Sequence, residues 1–86
     1  MEPYSIEFRR AASKEMEDLP MQVGRRIAAA IDTLALDPRR QGSMKLRQAT
    51  NGYRLRVGSY RILYEIDDAS RAVWIFAIRH RREAYR

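Results

Sequence analysis

The hydrophobic and polar positions of the first half of the chain follow two different periods. Residues 4–8 alternate apolar and polar side chains, which is typical of a short strand. Apolar residues then recur at helical spacing in two segments. The first segment carries Ala12, Met16 and Leu19, and the second carries Val23, Ile27, Ala30, Ile31 and Leu34. Pro20 suits the first turn of the second helix, and Pro38 marks its end, so we predict two antiparallel helices joined by a short turn.

The second half of the chain has the alternation of a three-stranded meander. Residues 38–52 are rich in Gly, Pro, Ser and Asn and are predicted to form a loop. Residues 53–57 and 60–67 alternate apolar and polar positions, and the turn between them begins with Gly58, as a tight hairpin requires. Residues 71–78 form a nearly continuous apolar run, which is expected of a central strand covered on both faces.

These elements predict an α+β fold of the order β-α-α-β-β-β. An N-terminal helical hairpin would pack on a small, mainly antiparallel sheet. The length of 86 residues fits a single domain, residues 1–86, and the hydrophobic fraction of 45% argues against disorder.

The turn at Gly58 also predicts which side chains face each other in the first hairpin. One face carries three pairs that are expected to pack on the helices. These are Val57 with Tyr60, Leu55 with Ile62, and Tyr53 with Tyr64. The other face carries Arg54, Arg56, Arg61, Leu63 and Glu65.

In this register Arg56 lies directly opposite Arg61. Like charges so placed cost a few tenths of a kcal/mol to about 1 kcal/mol, and nothing in folding requires that cost. A phosphate between the two guanidinium groups would turn the repulsion into attraction. The alternative is that both side chains extend into water, or that Glu65 partly neutralises them.

Charge is distributed unevenly along the chain. The net charge is +6, yet residues 1–43 hold seven basic and seven acidic side chains. The whole excess lies in residues 44–86, where nine of the ten basic residues are arginines and the tenth is Lys45. Arginine grips phosphate with a planar fork, so this bias favours a nucleic-acid partner over a merely solubilising surface.

The last residues add a second cluster of candidate groups, Arg79, His80, Arg81, Arg82 and Tyr85. His80 is the only histidine, and histidine suits proton transfer at neutral pH. Tyr85 could donate a proton or stack on a base. Both residues could equally be structural. Arginine cannot act as a base, but it can stabilise a pentavalent phosphate.

Several other chemistries lack their residues. The chain has no cysteine, no cluster of metal ligands and no phosphate-cradling glycine loop, so neither a metal nor a cofactor is expected. The longest apolar run is too short to cross a membrane, and the N-terminus lacks a signal pattern, so we expect a cytoplasmic protein. An RNA carries its own nucleophile, the 2′-hydroxyl, and positive charge positioned around the next phosphate can suffice to cut it.

Two segments resemble a known family. Residues 53–66, Tyr-Arg-Leu-Arg-Val-Gly-Ser-Tyr-Arg-Ile-Leu-Tyr-Glu-Ile, resemble the central signature of the RelE/ParE superfamily of bacterial toxins. Residues 80–86, His-Arg-Arg-Glu-Ala-Tyr-Arg, resemble the closing segment of RelE-type members. The helical pair and the Leu-Asp-Pro break before the meander also fit, so the resemblance covers nearly the whole chain.

The resemblance implies a RelE-like microbial ribonuclease-type fold and a toxin of a type II toxin–antitoxin pair. A cognate antitoxin would hold the toxin inactive. The toxin would cut mRNA in the ribosomal A site by metal-free 2′-hydroxyl attack on the adjacent phosphate, and so inhibit translation.

The resemblance also implies roles for individual residues. Arg61 and Arg81 would bind the scissile phosphate, Arg54 and Arg56 would bind its neighbours, and His80 or Tyr85 would accept the proton. Further RNA-binding candidates are Lys45, Arg79 and Arg82.

Two departures from the family pattern bear on these roles. Some relatives carry lysines at the positions of Arg54 and Arg56, and an arginine cannot take over a base role. Other relatives continue into a C-terminal helix, so we expect Tyr85, next to the last residue here, to become ordered only on a partner. The alternative function is that of a ParE-type toxin, which inhibits DNA gyrase by binding and has no nuclease activity.

Overall fold

A computed structural model describes residues 2–47 and 50–80 of the chain. Within these ranges the elements follow one another as β1 (Ser5–Phe8), α1 (Arg10–Glu17), α2 (Met21–Leu36), β2 (Ser43–Lys45), β3 (Gly52–Val57), β4 (Tyr60–Asp67) and β5 (Ala72–His80). The strands form one sheet in the order β1-β5-β4-β3-β2. β1 runs parallel to β5, and the other neighbouring pairs are antiparallel, which confirms the predicted mainly antiparallel α+β fold.

The predicted register of the first hairpin is confirmed. Val57 pairs with Tyr60, and Leu55 pairs with Ile62. Gly58 has a φ of 60°, which only glycine adopts at little cost. A Cβ at this position would also lie 3.2 Å from Arg26 Nη2, so both the backbone and the space favour glycine.

One face of the sheet forms the core with both helices. α1 packs on β5, and α2 crosses β1 and β3. The helices contribute Ala12, Ile27, Ile31 and Leu34, and the sheet contributes Leu55, Ile62, Tyr64, Ile66, Val73, Ile75 and Ile78. Tyr64 lies fully buried in this core and donates a hydrogen bond of 2.7 Å to the Pro38 carbonyl, and burial raises the pKa of its hydroxyl.

Two expectations about the strands were wrong. The predicted loop of residues 38–52 contains the edge strand β2, which is only three residues long and therefore shows no alternation in the sequence. β5 is interior, as expected, but the described helices cover only one of its faces. On the other face β5 places small or aromatic residues, Ala72, Trp74 and Ala77, and for this reason the run is apolar throughout.

Asp68 joins three distant segments at one end of the sheet. Its Oδ1 accepts a hydrogen bond of 2.6 Å from the Tyr4 hydroxyl, and its Oδ2 accepts one of 2.8 Å from Arg39 Nη2. Arg39 Nε in turn donates to the Tyr53 hydroxyl at 3.1 Å. The hydrogen bond from Arg39, followed by that from Tyr4, lowers the pKa of the Asp68 carboxyl to about 2.

We expect Asp68→Asn to destabilise the protein at neutral pH, and the effect to fade in acid. An unfolded aspartate titrates near pH 3.9, so the contribution of Asp68 is complete above that value and is lost as the pH falls towards about 2. Urea unfolding at several pH values measures the difference between Asp68→Asn and the parent protein. Asp32→Asn, on the exposed side of α2, is the control. A difference that stays constant from neutral pH down to pH 2 would contradict the role of this carboxylate.

Candidate nucleic-acid interface

Three arginines lie side by side across the middle of the sheet. Arg56 on β3 pairs with Arg61 on β4, and Arg61 pairs with Arg79 on β5. Residues paired in this way point to the same face, and neighbouring strands lie about 4.8 Å apart. We call these three residues the arginine row. It occupies the face of the sheet opposite the two helices, which we call the arginine face.

Arg61 occupies the centre of the arginine row and is only 5% exposed, whereas Arg56 and Arg79 are exposed. Charged side chains are rarely buried so fully, and their charge acts over longer distances where water is excluded. The row therefore places one desolvated guanidinium between two accessible ones, an arrangement suited to gripping an anion from several directions.

Glu15 anchors one end of the arginine row. Its Oε2 lies 3.3 Å from Arg79 Nη1, and its Oε1 accepts a hydrogen bond of 3.0 Å from the Ile78 backbone N–H. β1 pairs with β5 only as far as Ile75, so among the described residues no strand is paired with β5 on this side at Ile78. The Glu15 carboxylate accepts the hydrogen bond of the Ile78 N–H there instead. The ion pair is partly exposed and adds little stability, but it sets the direction of the Arg79 side chain.

Arg54 and Lys45 differ in their relation to the row. Arg54 pairs with Leu63 on the arginine face, and its Nη2 lies 3.3 Å from Met44 Sδ on β2. Lys45 pairs with Tyr53, whose side chain packs on the core, so its register places it on the side of the helices. The structure therefore brings Arg54 to the arginine row but does not bring Lys45 there.

His80 is placed on the side of the helices. It pairs with Tyr60, and the two rings meet edge to face with centroids 5.1 Å apart. Its other neighbours include Glu15 and Pro20, with which it lines a groove beside the join of the two helices. The structure thus separates His80 from the arginine row. The three further candidates of the C-terminal segment, Arg81, Arg82 and Tyr85, lie outside the described residues.

A bulge in β5 decides which face Arg79 occupies. Tyr64 pairs with Ile75 but Leu63 pairs with Ala77, so Phe76 is left as an extra residue. With the same sequence and no bulge, Ile78 would lie opposite Arg61 and Arg79 would face the helices. The extra residue also increases the local twist of the strand, as bulges beside functional sites commonly do.

Sequence reasoning missed the bulge and the anchor at Glu15. A signal for the bulge was present, because the core residues Val73, Ile75 and Ile78 do not keep a spacing of two. Glu15 gave no signal, since its contacts to β5 are formed by residues more than sixty positions away.

No group of three or more His, Cys, Asp or Glu side chains able to hold a metal ion is found within residues 2–47 and 50–80. In the same part of the chain no helix is long and apolar enough to cross a membrane.

A five-stranded mixed sheet with two helices packed on it matches the fold of solved RelE structures. Residues 6–85 match the family model described as ParE toxin of the type II toxin–antitoxin system, parDE. The chain belongs to this family of type II toxins, and its relatives place it among the RelE-like members.

The chain is 32% identical to the toxin RelG of Mycobacterium tuberculosis, over an alignment of 88 positions that covers 98% of each chain. The fold is similar to the RelBE2 toxin–antitoxin complex of the same organism, with a TM-score of 0.81, 28% identity, and coverage of 91% of this chain and 98% of that chain. It is also similar to the intact RelBE complex of E. coli, with a TM-score of 0.79, 25% identity, and coverage of 87% and 93%.

We expect the protein to fold after deletion of Phe76, with the arginine row intact. Without the extra residue the ladder becomes regular, and Ile62 still pairs with Ile78 and Arg61 with Arg79. The loss in unfolding free energy should be about 1–3 kcal/mol, as for an ordinary point change. Urea unfolding gives that loss, and nuclear Overhauser contacts between residues 61 and 79 report the pairing.

The matched control is an alanine inserted after Ala77. It moves Ile78 to the arginine face and Arg79 to the side of the helices, so it should unfold the domain. The proposed register is wrong if the deletion abolishes the contacts between residues 61 and 79, or if the insertion is tolerated equally well.

Proposed function

We propose that this toxin is a ribosome-dependent endoribonuclease that cuts mRNA in the ribosomal A site. The observation that carries the proposal is the arginine row, in which Arg56, Arg61 and Arg79 share one face in register. A fold alone does not determine an activity, so the argument rests on what these side chains can do.

The arginine row is suited to a phosphodiester group. Arg56 and Arg61 carry like charges directly opposite each other, and a phosphate bound between them would turn their repulsion into attraction. The buried guanidinium of Arg61 would act most strongly on the charge that develops on the phosphate in the transition state. We assign Arg61 and Arg81 to the scissile phosphate and Arg54 and Arg56 to the phosphates beside it.

Outer contacts would extend along the RNA. Arg79 lies exposed at the end of the row, and Arg82 follows it closely in sequence. Lys45 lies on the edge strand β2 and on the other side of the sheet, so we restrict its role to the RNA backbone away from the cleavage point.

The nucleophile in this mechanism belongs to the substrate. The ribose 2′-hydroxyl gives up its proton and attacks the adjacent phosphorus, the bond from phosphorus to the 5′-oxygen of the next nucleotide breaks as the 2′,3′-cyclic phosphate forms, and the leaving 5′-oxygen takes a proton from water. The protein holds these atoms in line and stabilises the charge. His80 or Tyr85 would accept the proton of the 2′-hydroxyl, and the position of His80 on the side of the helices weakens its case.

The proposed partners are a cognate antitoxin, the ribosome and its mRNA. The related RelBE2 and RelBE structures are toxin–antitoxin complexes, which supports an antitoxin for this chain as well. Action on translating ribosomes would place the toxin in the cytoplasm, and the proposed chemistry uses no metal and no small-molecule cofactor.

We expect Arg61→Met to lower the rate of cleavage by about 10²–10³-fold, since it removes one preorganised donor to the transition state. Methionine has a similar length and no charge, so the buried position should tolerate it. Primer extension on a translated mRNA reads the cleavage as new 5′ ends within codons. Arg81→Ala should act in the same direction, and Arg25→Gln, on the exposed side of α2, should cleave like the parent protein.

Intact mRNA with the unmodified toxin would contradict the proposed function. Unchanged cleavage by Arg61→Met would contradict only the role of the arginine row.

A second candidate is inhibition of DNA gyrase by binding, which the match to the ParE family model favours. The arginine face would then dock on a protein. Inhibition of supercoiling by the purified toxin, together with intact mRNA in translating extracts, would establish this function in place of the first.

A further inference from the structure

The chemical character of the arginine face changes along the strands. Glu65 lies four residues beyond Arg61 on β4, roughly 13 Å away at the usual rise of a strand. There it pairs with Trp74 on β5. Between these two ends lie apolar side chains, Leu63 and Ala77, which also pair with each other. The same surface thus offers arginines at one end and an aromatic ring beside a carboxylate at the other.

A groove of about 510 Å³ opens at the end that carries Glu65 and Trp74. The guanidinium of Arg9 lies over the Trp74 ring, 4.3 Å from its centroid. The backbone N–H of Arg9 donates to the Ile75 carbonyl at 2.8 Å, which fixes the chain at this point. Arg9 and Trp74 therefore form a preassembled stacked pair at the wall of the groove.

The carboxylates that line this groove differ in their partners. Asp68 is engaged by Arg39 and Tyr4, and Asp67 accepts a hydrogen bond from the Ser70 backbone N–H at 3.2 Å. Within the described ranges the partly buried Glu65 side chain makes no hydrogen bond and no ion pair. A carboxylate with two accepting oxygens thus lines a groove beside an aromatic platform.

We propose that this groove binds a guanine base of the RNA, near the phosphate held by the arginine row; the inference rests on the proposed function. The guanidinium of Arg9, held over the Trp74 ring, stacks on the base, and the two oxygens of Glu65 accept hydrogen bonds from its N1–H and its exocyclic amino group. Stacking on aromatic rings or on arginine guanidinium groups, together with hydrogen bonds to the pairing edge, is how proteins read unpaired RNA. Uracil presents a carbonyl on each side of its single donor, which the carboxylate repels.

A phosphate and a basic peptide both fit this groove less well than a guanine base does. Glu65 and Asp67 repel a phosphate. A lysine or arginine of a protein partner would meet Arg9, which already occupies the cation position on the Trp74 ring. A neutral base with adjacent donors meets neither obstacle.

The experiment measures binding of 2′-O-methyl RNA tetranucleotides that differ in one base, guanine or uracil. Such RNA cannot be cut, so binding is read separately from cleavage. Trp74 is the only tryptophan of the chain, and the quenching of its fluorescence reports occupancy of the groove directly. We expect the guanine form to bind about tenfold or more tightly than the uracil form, as a good bidentate pair provides.

Two variants locate the preference. Glu65→Gln should bring the ratio of the two affinities close to one, because an amide cannot accept both hydrogen bonds. Glu7→Gln removes the same charge from the neighbouring strand β1, where Glu7 also pairs with Trp74, and should keep the preference for guanine.

Equal affinities for the two RNAs, or a preference that survives Glu65→Gln, would overturn the guanine site. So would weaker antitoxin binding by Glu65→Gln with an unchanged base preference, since the groove would then be a protein-docking site. Failure of the unmodified toxin to cut translated mRNA bears on the proposed function alone, because the binding assay uses RNA that cannot be cleaved.

Discussion

The pairing of three arginines in register on one face of the sheet, with Arg56 directly opposite Arg61, is the constraint on which the function depends. Like charges so placed cost a few tenths of a kcal/mol to about 1 kcal/mol, and burial of Arg61 adds a desolvation cost. The opposite face supplies the stability that offsets these costs. There Tyr64, Ile62 and Ile75 are fully buried against the helices. One face of the sheet thus carries the candidate binding site, and the other face provides the stability of the fold.

Contacts outside the arginine row help to keep the arginines and the core residues on opposite faces of the sheet. Glu15 closes the edge of β5 and directs Arg79, and the bulge at Phe76 lets Ile78 stay in the core while Arg79 remains on the arginine face. At the far end Asp68 binds Tyr4 and Arg39, which joins the residue before β1, the segment after α2 and the turn before β5. A rigid sheet is what a preorganised binding surface requires, because flexible arginines would lose more entropy on gripping a phosphate.

Local sequence patterns predicted most of the helices and strands and, within the arginine row, the pairing of Arg56 with Arg61. The glycine-led turn at Gly58 was enough to place Arg56 opposite Arg61, since a hairpin with a known turn has only one register. The edge strand β2 was not predicted, because three residues are too few to show the alternation of a strand. Arg79 was named as a candidate but could not be placed, because its face depends on the bulge. The separation of His80 from the arginine row follows from the same shift. The Asp68 contacts join residues far apart in sequence, and no local pattern reports them.

The salt dependence of RNA affinity tests the central claim most directly, because a protein that neutralises phosphates releases counterions in proportion. With uncleavable single-stranded RNA, the logarithm of affinity should fall steeply and linearly with the logarithm of salt concentration. Arg56→Thr should make the slope shallower by about 0.7, the amount expected for one lost phosphate contact on a single strand. A slope near zero for the parent toxin, or one that Arg56→Thr leaves unchanged, would show that the arginine row does not bind the RNA backbone.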